Sequence, residues 1–104
     1  MQKRILQIQR RVEKIKQQLL NIGEMRPGSL TMQYQKPKEK KCGFYQISYT
    51  YKMRSKTEYV RPEFVKDLKG QVAQFKKFKK LMQEWIDLAI EHSQLKMKIA
   101  KENR

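Results

Sequence analysis

Apolar side chains recur every three or four residues between Val65 and Ile99, and no proline interrupts them. This spacing places them along one face of an α-helix. Pro62 and Glu63 suit the first turn of such a helix, because proline needs no backbone donor there and a carboxylate favours the positive end of the helix dipole. We therefore predict one long helix, helix two, over residues 62–101. Its stripe consists of Val65, Leu68, Val72, Phe75, Phe78, Leu81, Trp85, Leu88, His92, Leu95 and Ile99.

A second periodic stripe, near the start of the chain, predicts helix one over residues 2–22. Its apolar residues alternate between spacings of three and four, a heptad pattern typical of a helix that packs on another helix. Gly23 follows the stripe and suits a helix C-terminus. Because the helices differ in length, an antiparallel pairing leaves part of helix two uncovered, and a second copy of the chain is the simplest cover for it. The stripe residues of helix one are Ile5, Ile8, Val12, Ile15, Leu19 and Ile22.

Between the helices, residues 30–60 alternate in polarity as β-strands do. Residues 44–51 are rich in aromatic and β-branched side chains, and residues 56–60 return as a partner strand. Leu30 begins a third candidate strand, which an isolated hairpin needs for stability in water. The lysine-rich segment 36–41 contains a proline and is predicted to be a basic loop.

These segments predict a single α+β domain spanning residues 1–104, since the length permits only one. Two long helices pair antiparallel as a coiled-coil-like hairpin. A small antiparallel β-hairpin or three-stranded sheet lies at one end of them.

Residues that commonly carry catalysis or bind metals are sparse. His92 is the only histidine and Cys42 the only cysteine, so a zinc site or a histidine-based active site lacks its usual partners. Glu84, Asp87 and Glu91 share one face of helix two. A metal site would need further carboxylates from another helix, and helix one offers only Glu13. We therefore interpret this acidic face as exposed to solvent or paired with basic side chains. We therefore expect no enzyme, no cofactor and no metal site.

The chain has no apolar run of about 18 residues, the length that a membrane-spanning helix needs. Its start is charged and lacks the apolar core of a secretory signal. We expect no membrane span and a cytoplasmic location, where a lone cysteine stays reduced.

Positive charge dominates the composition: 25 lysines and arginines oppose 10 aspartates and glutamates, giving a formal net charge of +15. Such an excess favours a nucleic acid, DNA or RNA, because lysine and arginine release condensed counterions from phosphates. A surface that only keeps the protein soluble, and an anionic membrane surface, are the alternatives. We predict phosphate contacts from Lys52, Arg54, Lys56, Arg61, Lys69, Lys76, Lys77 and Lys80, with Tyr51 and Tyr59 stacking on bases.

The alternative function is a coiled-coil interaction module. The second half of helix two extends its stripe beyond the reach of helix one, and a partner helix or a second copy of the chain would cover it. The partner would be a larger, nucleic-acid-associated protein that this chain regulates. The predicted interface residues are Leu88, His92, Leu95 and Ile99.

Short motifs follow helix one in this order: Gly28-Ser29-Leu30, Gly43-Phe44-Tyr45-x-Ile47-Ser48-Tyr49, Lys56-Thr57, Tyr59-Val60-x-Pro62 and, in helix two, Phe75-x-x-Phe78-x-x-Leu81. Over residues 25–100 this order resembles a family of short bacterial and archaeal proteins of unknown function. The family's cysteine cluster is reduced here to Cys42, so no metal knuckle is expected. The resemblance implies a setting near mobile genetic elements and brings no catalytic residues. The charge and the resemblance together predict a non-enzymatic nucleic-acid-binding accessory or adaptor protein.

Overall fold

The computed structural model describes residues 1–36, 38 and 41–103, and it is an α+β structure. Two helices, Gln2–Leu20 (α1) and Val65–Glu102 (α2), flank three strands in the chain. The strands are Ser29–Lys36 (β1), Lys41–Tyr51 (β2) and Arg54–Val60 (β3), and a short 3-10 turn at Pro62–Phe64 precedes α2. The predicted class, with two helices and a three-stranded antiparallel sheet, is confirmed. Of the predicted basic loop 36–41, Pro37, Glu39 and Lys40 lie outside the described residues.

The chain divides into two compact units, and α2 contributes to both. The sheet unit is Gly23–Lys76 and contains the three strands and the first turns of α2. The helical unit consists of Met1–Ile22 and Lys77–Arg104. No helix in the described part of the chain is both long and apolar enough to cross a membrane.

The sheet has the order β1-β2-β3, with both neighbouring pairs antiparallel. Tyr51 is paired with Arg54, so a two-residue turn at Lys52 and Met53 joins β2 to β3. Both turn residues have left-handed backbones, with φ of 51° and 66°. Left-handed turns suit the twist of a tight hairpin, but Asn-Gly is the usual sequence because other residues resist positive φ.

The core of the sheet unit forms where the middle strand meets α2. Ile47, Val60 and Val72 are buried together, and Leu30, Tyr45, Val65 and Leu68 pack against them. Alternation along β2 explains the arrangement, because residues two apart face the same side of a strand. Burying an isoleucine side chain such as that of Ile47 contributes about 2 kcal/mol of hydrophobic free energy.

Gly28 allows the chain entering β1 to approach this core closely. Its φ is 141°, a backbone conformation that residues with a side chain rarely adopt. A Cβ atom at this position would lie 2.8 Å from Ile47 Cγ1 and 3.1 Å from the Ser48 carbonyl oxygen. The position therefore requires glycine for two independent reasons, conformation and space.

The helical unit buries Ile8 and Ile15 of α1 and Leu81 of α2, as their stripes predict. Ion pairs accompany this packing: Arg4 Nε lies 2.6 Å from Glu91 Oε2, and Arg11 Nη2 donates to Glu84 Oε1 at 2.8 Å. These hydrogen bonds lower the pKa of both carboxyls. Two carboxylates on the acidic face of α2, Glu84 and Glu91, are therefore paired with arginines.

Two glycine substitutions should have opposite effects on stability. We expect Gly28→Ala to lower the free energy of unfolding by about 2 kcal/mol or more, because it adds both backbone strain and an overlap with Ile47. Gly70→Ala should raise it by about 0.5–1 kcal/mol, because Gly70 lies in α2 and a Cβ there meets no atom within 4 Å. Urea unfolding followed by circular dichroism measures both. A Gly28→Ala variant as stable as the wild type would contradict the described packing.

Candidate nucleic-acid interface

The tip of the β2–β3 hairpin gathers three cations around one aromatic ring. Lys52 Nζ lies 5.4 Å and Lys56 Nζ 5.7 Å from the centre of the Tyr51 ring. Arg54 is the cross-strand partner of Tyr51, so its side chain shares that face of the sheet. These four residues, named here the hairpin cluster, are exposed and line an open cavity of about 420 Å³.

No aspartate or glutamate occurs between residues 45 and 57, so the hairpin cluster is uniformly positive. In the described part of the chain, no ion pair involves Lys52, Arg54 or Lys56. Exposed cations that form no close ion pair and flank a ring are suited to contact phosphate and to hold an anionic ligand against that ring.

The first carboxylate beyond the tip, Glu58, is already engaged. It accepts hydrogen bonds from Tyr49 Oη at 2.7 Å and from Arg26 Nη2 at 2.7 Å. These two bonds lower the pKa of Glu58, and the bond to Glu58 raises the pKa of Tyr49. The Arg26 guanidinium also lies 5.0 Å from the Tyr49 ring centre. Because Arg26 already pairs with Glu58, this carboxylate offsets only part of the positive charge at the tip, where it attracts Lys56.

The two predicted stacking residues, Tyr51 and Tyr59, are both exposed, at 54% and 63%. The strand register places them on opposite faces of the sheet, since Tyr51 opposes Arg54 while Tyr59 opposes Gln46. Tyr51 therefore joins the hairpin cluster, whereas the Tyr59 ring pairs with Phe44 at a centroid distance of 6.2 Å.

The remaining predicted phosphate contacts are spread over both units. Lys69 Nζ lies 5.3 Å from the Tyr45 ring centre, and exposed Arg61 forms a long ion pair with Glu63 at 3.8 Å. Lys69 and Lys76 belong to the sheet unit. The exposed Lys77 and Lys80 belong to the helical unit.

The predicted protein-interface residues Leu88, His92, Leu95 and Ile99 are half-buried. His92 Nε2 is shielded from solvent and has no hydrogen-bond partner in the described chain. In this part of α2, the large apolar residues that are exposed lie on a different line along the helix from the predicted interface residues. They were not predicted from the sequence, although they are spaced by four and seven residues, as on one face of a helix. They are Ile86, Ile90 and Met97.

Two further residues near the hairpin were not singled out from the sequence. Met53 is 98% exposed at the turn, and Phe44 is half-buried beside Tyr59. The alternation of β2 placed Phe44 on the face opposite Tyr45, but only the register shows that its neighbour is Tyr59. Among the described residues, no group of three His, Cys, Asp or Glu is placed to hold a metal ion.

No protein-family model, curated protein or solved structure matches this chain.

The pairing of Glu58 predicts a pH-dependent contribution to stability. Because the folded pKa of Glu58 is depressed, its interactions stabilise the fold above the ordinary carboxyl pKa and are lost as the pH falls through the folded value. Glu58→Gln should therefore be less stable than the wild type at pH 7 by at most about 1 kcal/mol, with the difference vanishing in acid. Urea unfolding at both pH values measures this. Glu24→Gln is the control, because it removes the same charge at an exposed residue with no described ion pair. A pH-independent difference for Glu58→Gln would refute the described pairing.

Proposed function

We propose that this chain is a non-enzymatic nucleic-acid-binding protein whose hairpin cluster contacts phosphates. One observation carries the proposal: Lys52 and Lys56 lie near the exposed Tyr51 ring, Arg54 lines the same cavity, and none of the three forms a described ion pair. Phosphate is the anion that such a group fits best, because several cations can share the charge of a nucleic-acid backbone.

Tyr51 gives the hairpin cluster a second kind of contact. An exposed aromatic ring stacks on a base of any identity, while the adjacent cations hold the phosphates on either side. This combination supports binding that depends little on sequence. Lys69, Lys76 and Arg61 of the sheet unit, and Lys77 and Lys80 of the helical unit, add further phosphate contacts in this proposal.

The role that we propose for the chain is that of an accessory or adaptor protein. We propose that it delivers or holds nucleic acid for a larger protein rather than acting on it. The order of motifs between residues 25 and 100, which resembles the mobile-element-associated family, supports a setting near mobile genetic elements.

Charge reversal at the tip tests the proposal. The variant Lys52→Glu/Arg54→Glu/Lys56→Glu should bind labelled single-stranded DNA, duplex DNA and structured RNA at least about tenfold more weakly than the wild type, as measured by fluorescence anisotropy. The slope of log affinity against log salt should fall by about three, one for each phosphate contact removed.

The control is Lys96→Glu/Lys98→Glu/Lys101→Glu, which makes the same change in net charge at exposed residues near the end of α2. It should keep the larger part of the wild-type affinity. Equal losses in the two variants would mean that the charge acts only generically. Circular dichroism confirms that each variant remains folded.

We also propose that α1 pairs antiparallel with α2 in the helical unit, as the heptad pattern predicts. Two ion pairs support this: as the chain advances from Arg4 to Arg11, the partner moves back from Glu91 to Glu84. The half-buried stripe residues of α2 then pack against α1.

Pairs of engineered cysteines test the pairing in a Cys42→Ser background. Arg4→Cys/Glu91→Cys should be joined within one chain by a short bifunctional thiol-specific cross-linker, because the two native side chains meet and a cross-linker, unlike a disulfide, spans the distance that they bridge. Arg4→Cys/Lys77→Cys is the control, since it brings two cysteines together only if the helices run parallel. Non-reducing electrophoresis and mass spectrometry measure the reaction. A faster reaction in the control would mean that α1 and α2 run parallel.

The second candidate function is the interaction module. Exposed Ile86, Ile90 and Met97, spaced along one line of α2, favour it because such a line suits a helix from a second copy or another protein. Under this function the hairpin variant and the Lys96→Glu/Lys98→Glu/Lys101→Glu variant lose nucleic-acid affinity equally, because only the overall charge of the protein matters. Comparison of these two variants therefore separates the two functions.

A further inference from the structure

We infer that a cavity beside Phe44 and Tyr59 receives one unstacked nucleobase. The inference rests on the proposed function and specifies its ligand as a nucleic acid with unpaired bases. The cavity has a volume of about 300 Å³, which lies at the lower end of the range for small-ligand pockets. Its walls include Met32, Gly43, Val60 and Pro62 along with the two rings.

The two rings supply the stacking surface. Phe44 on β2 and Tyr59 on β3 are 6.2 Å apart with their planes inclined by 49°, so they form an open angle rather than a closed stack. Tyr59 remains 63% exposed, which leaves its ring face accessible to a base. Stacking of a base on an exposed aromatic side chain is a recurrent source of affinity for single strands.

Gly43 forms part of the cavity wall. A Cβ atom there would lie 3.0 Å from Met32 Sδ and 3.1 Å from the Tyr34 ring, tighter than most side chains tolerate. The missing side chain therefore lets Met32 and Tyr34 pack directly over the strand beside the cavity.

Among the side chains that the structure describes, those on the face of the sheet that carries the two rings are uncharged, although about a third of the chain is charged. In the register of the three strands, the side chains sharing this face are hydroxyls and amides, which donate and accept hydrogen bonds as base edges do. They are Ser29, Thr31, Gln33, Gln46, Ser48, Thr50, Ser55 and Thr57. None of them lines the cavity, because Met32, Gly43 and Val60 of its lining lie on the opposite face, with Ile47. In this inference the polar groups contact the bases next to the one that the cavity holds.

Two cations neighbour residues that line the cavity, and we assign them to the phosphates of a bound nucleotide. Tyr45 lines the cavity, and Lys69 Nζ lies 5.3 Å from its ring centre. Arg61 is exposed and precedes Pro62, which also lines the cavity. An apolar aromatic cavity with positive charge at its edge is complementary to a base joined to a phosphate.

Abasic substitution tests the inference directly. The wild type should bind a single-stranded oligonucleotide more tightly than the same strand with abasic sites. Tyr59→Ala should weaken binding to the intact strand by about 5- to 100-fold and leave binding to the abasic strand unchanged. Tyr59→Phe should behave as the wild type, since it keeps the ring. Phe64→Ala is the control, because Phe64 is a similarly exposed aromatic residue that does not line the cavity.

A second measurement does not depend on a substitution. In the unmodified protein, titration with adenosine 5′-monophosphate should shift the NMR signals of the Phe44 and Tyr59 rings and leave those of Phe64 in place. Shifts confined to other residues, or an equal loss of affinity for intact and abasic strands in Tyr59→Ala, would overturn the base pocket.

The two proposals fail in different ways. If the wild type binds no nucleic acid at any salt concentration, both are wrong. If the hairpin variant loses affinity while Tyr59→Ala binds the intact strand normally, only the base pocket is wrong, and the phosphate-binding hairpin stands.

Discussion

Contact of Ile47 with Val60 and Val72 is the interaction on which the sheet unit depends. A sheet of only three strands is stable in water when one apolar face is buried, and here that face lies on α2. Ile47 makes this contact from the middle strand, and Gly28 lets the chain entering β1 pass beside it. Once that face is committed to the core, the opposite face is left for solvent or a ligand, and the hairpin extends beyond the packed region.

Arginines and lysines have different roles in the charge distribution of this protein. Each described carboxylate in a close ion pair has an arginine as its partner: Glu91 pairs with Arg4, Glu84 with Arg11 and Glu58 with Arg26. Arginine suits this task because its planar group donates two hydrogen bonds to one carboxylate. The lysines are mostly at exposed positions, where they set the external field of the protein. In this way a small number of acidic residues stabilises the fold without cancelling the surface charge.

Periodicity predicted much of this structure, because apolar spacing reports which residues a helix or strand must bury. The stripes identified Ile8, Ile15, Val72 and Leu81 as inward-facing, and they are buried. What periodicity lacks is the register between strands. Tyr51 and Tyr59 looked equivalent in the sequence, yet pairing with β2 separates them onto opposite faces. The division into two units was equally inaccessible, since the stripe of helix two runs through the boundary near Lys76 without a break.

The tight turn at Lys52 and Met53 makes the chemistry of the sheet sensitive to chain length. Only two residues join β2 to β3, so the turn fixes the register of the two strands. The register in turn decides which side chains of β3 lie on the same face as which side chains of β2. Shifting β3 by one residue exchanges its two faces entirely. The lysine and arginine of the tip would then join the uncharged surface, and Tyr59 would move toward the core. Related chains that differ in length at this turn would therefore carry a different division between charge and aromatic rings, even with every other residue unchanged.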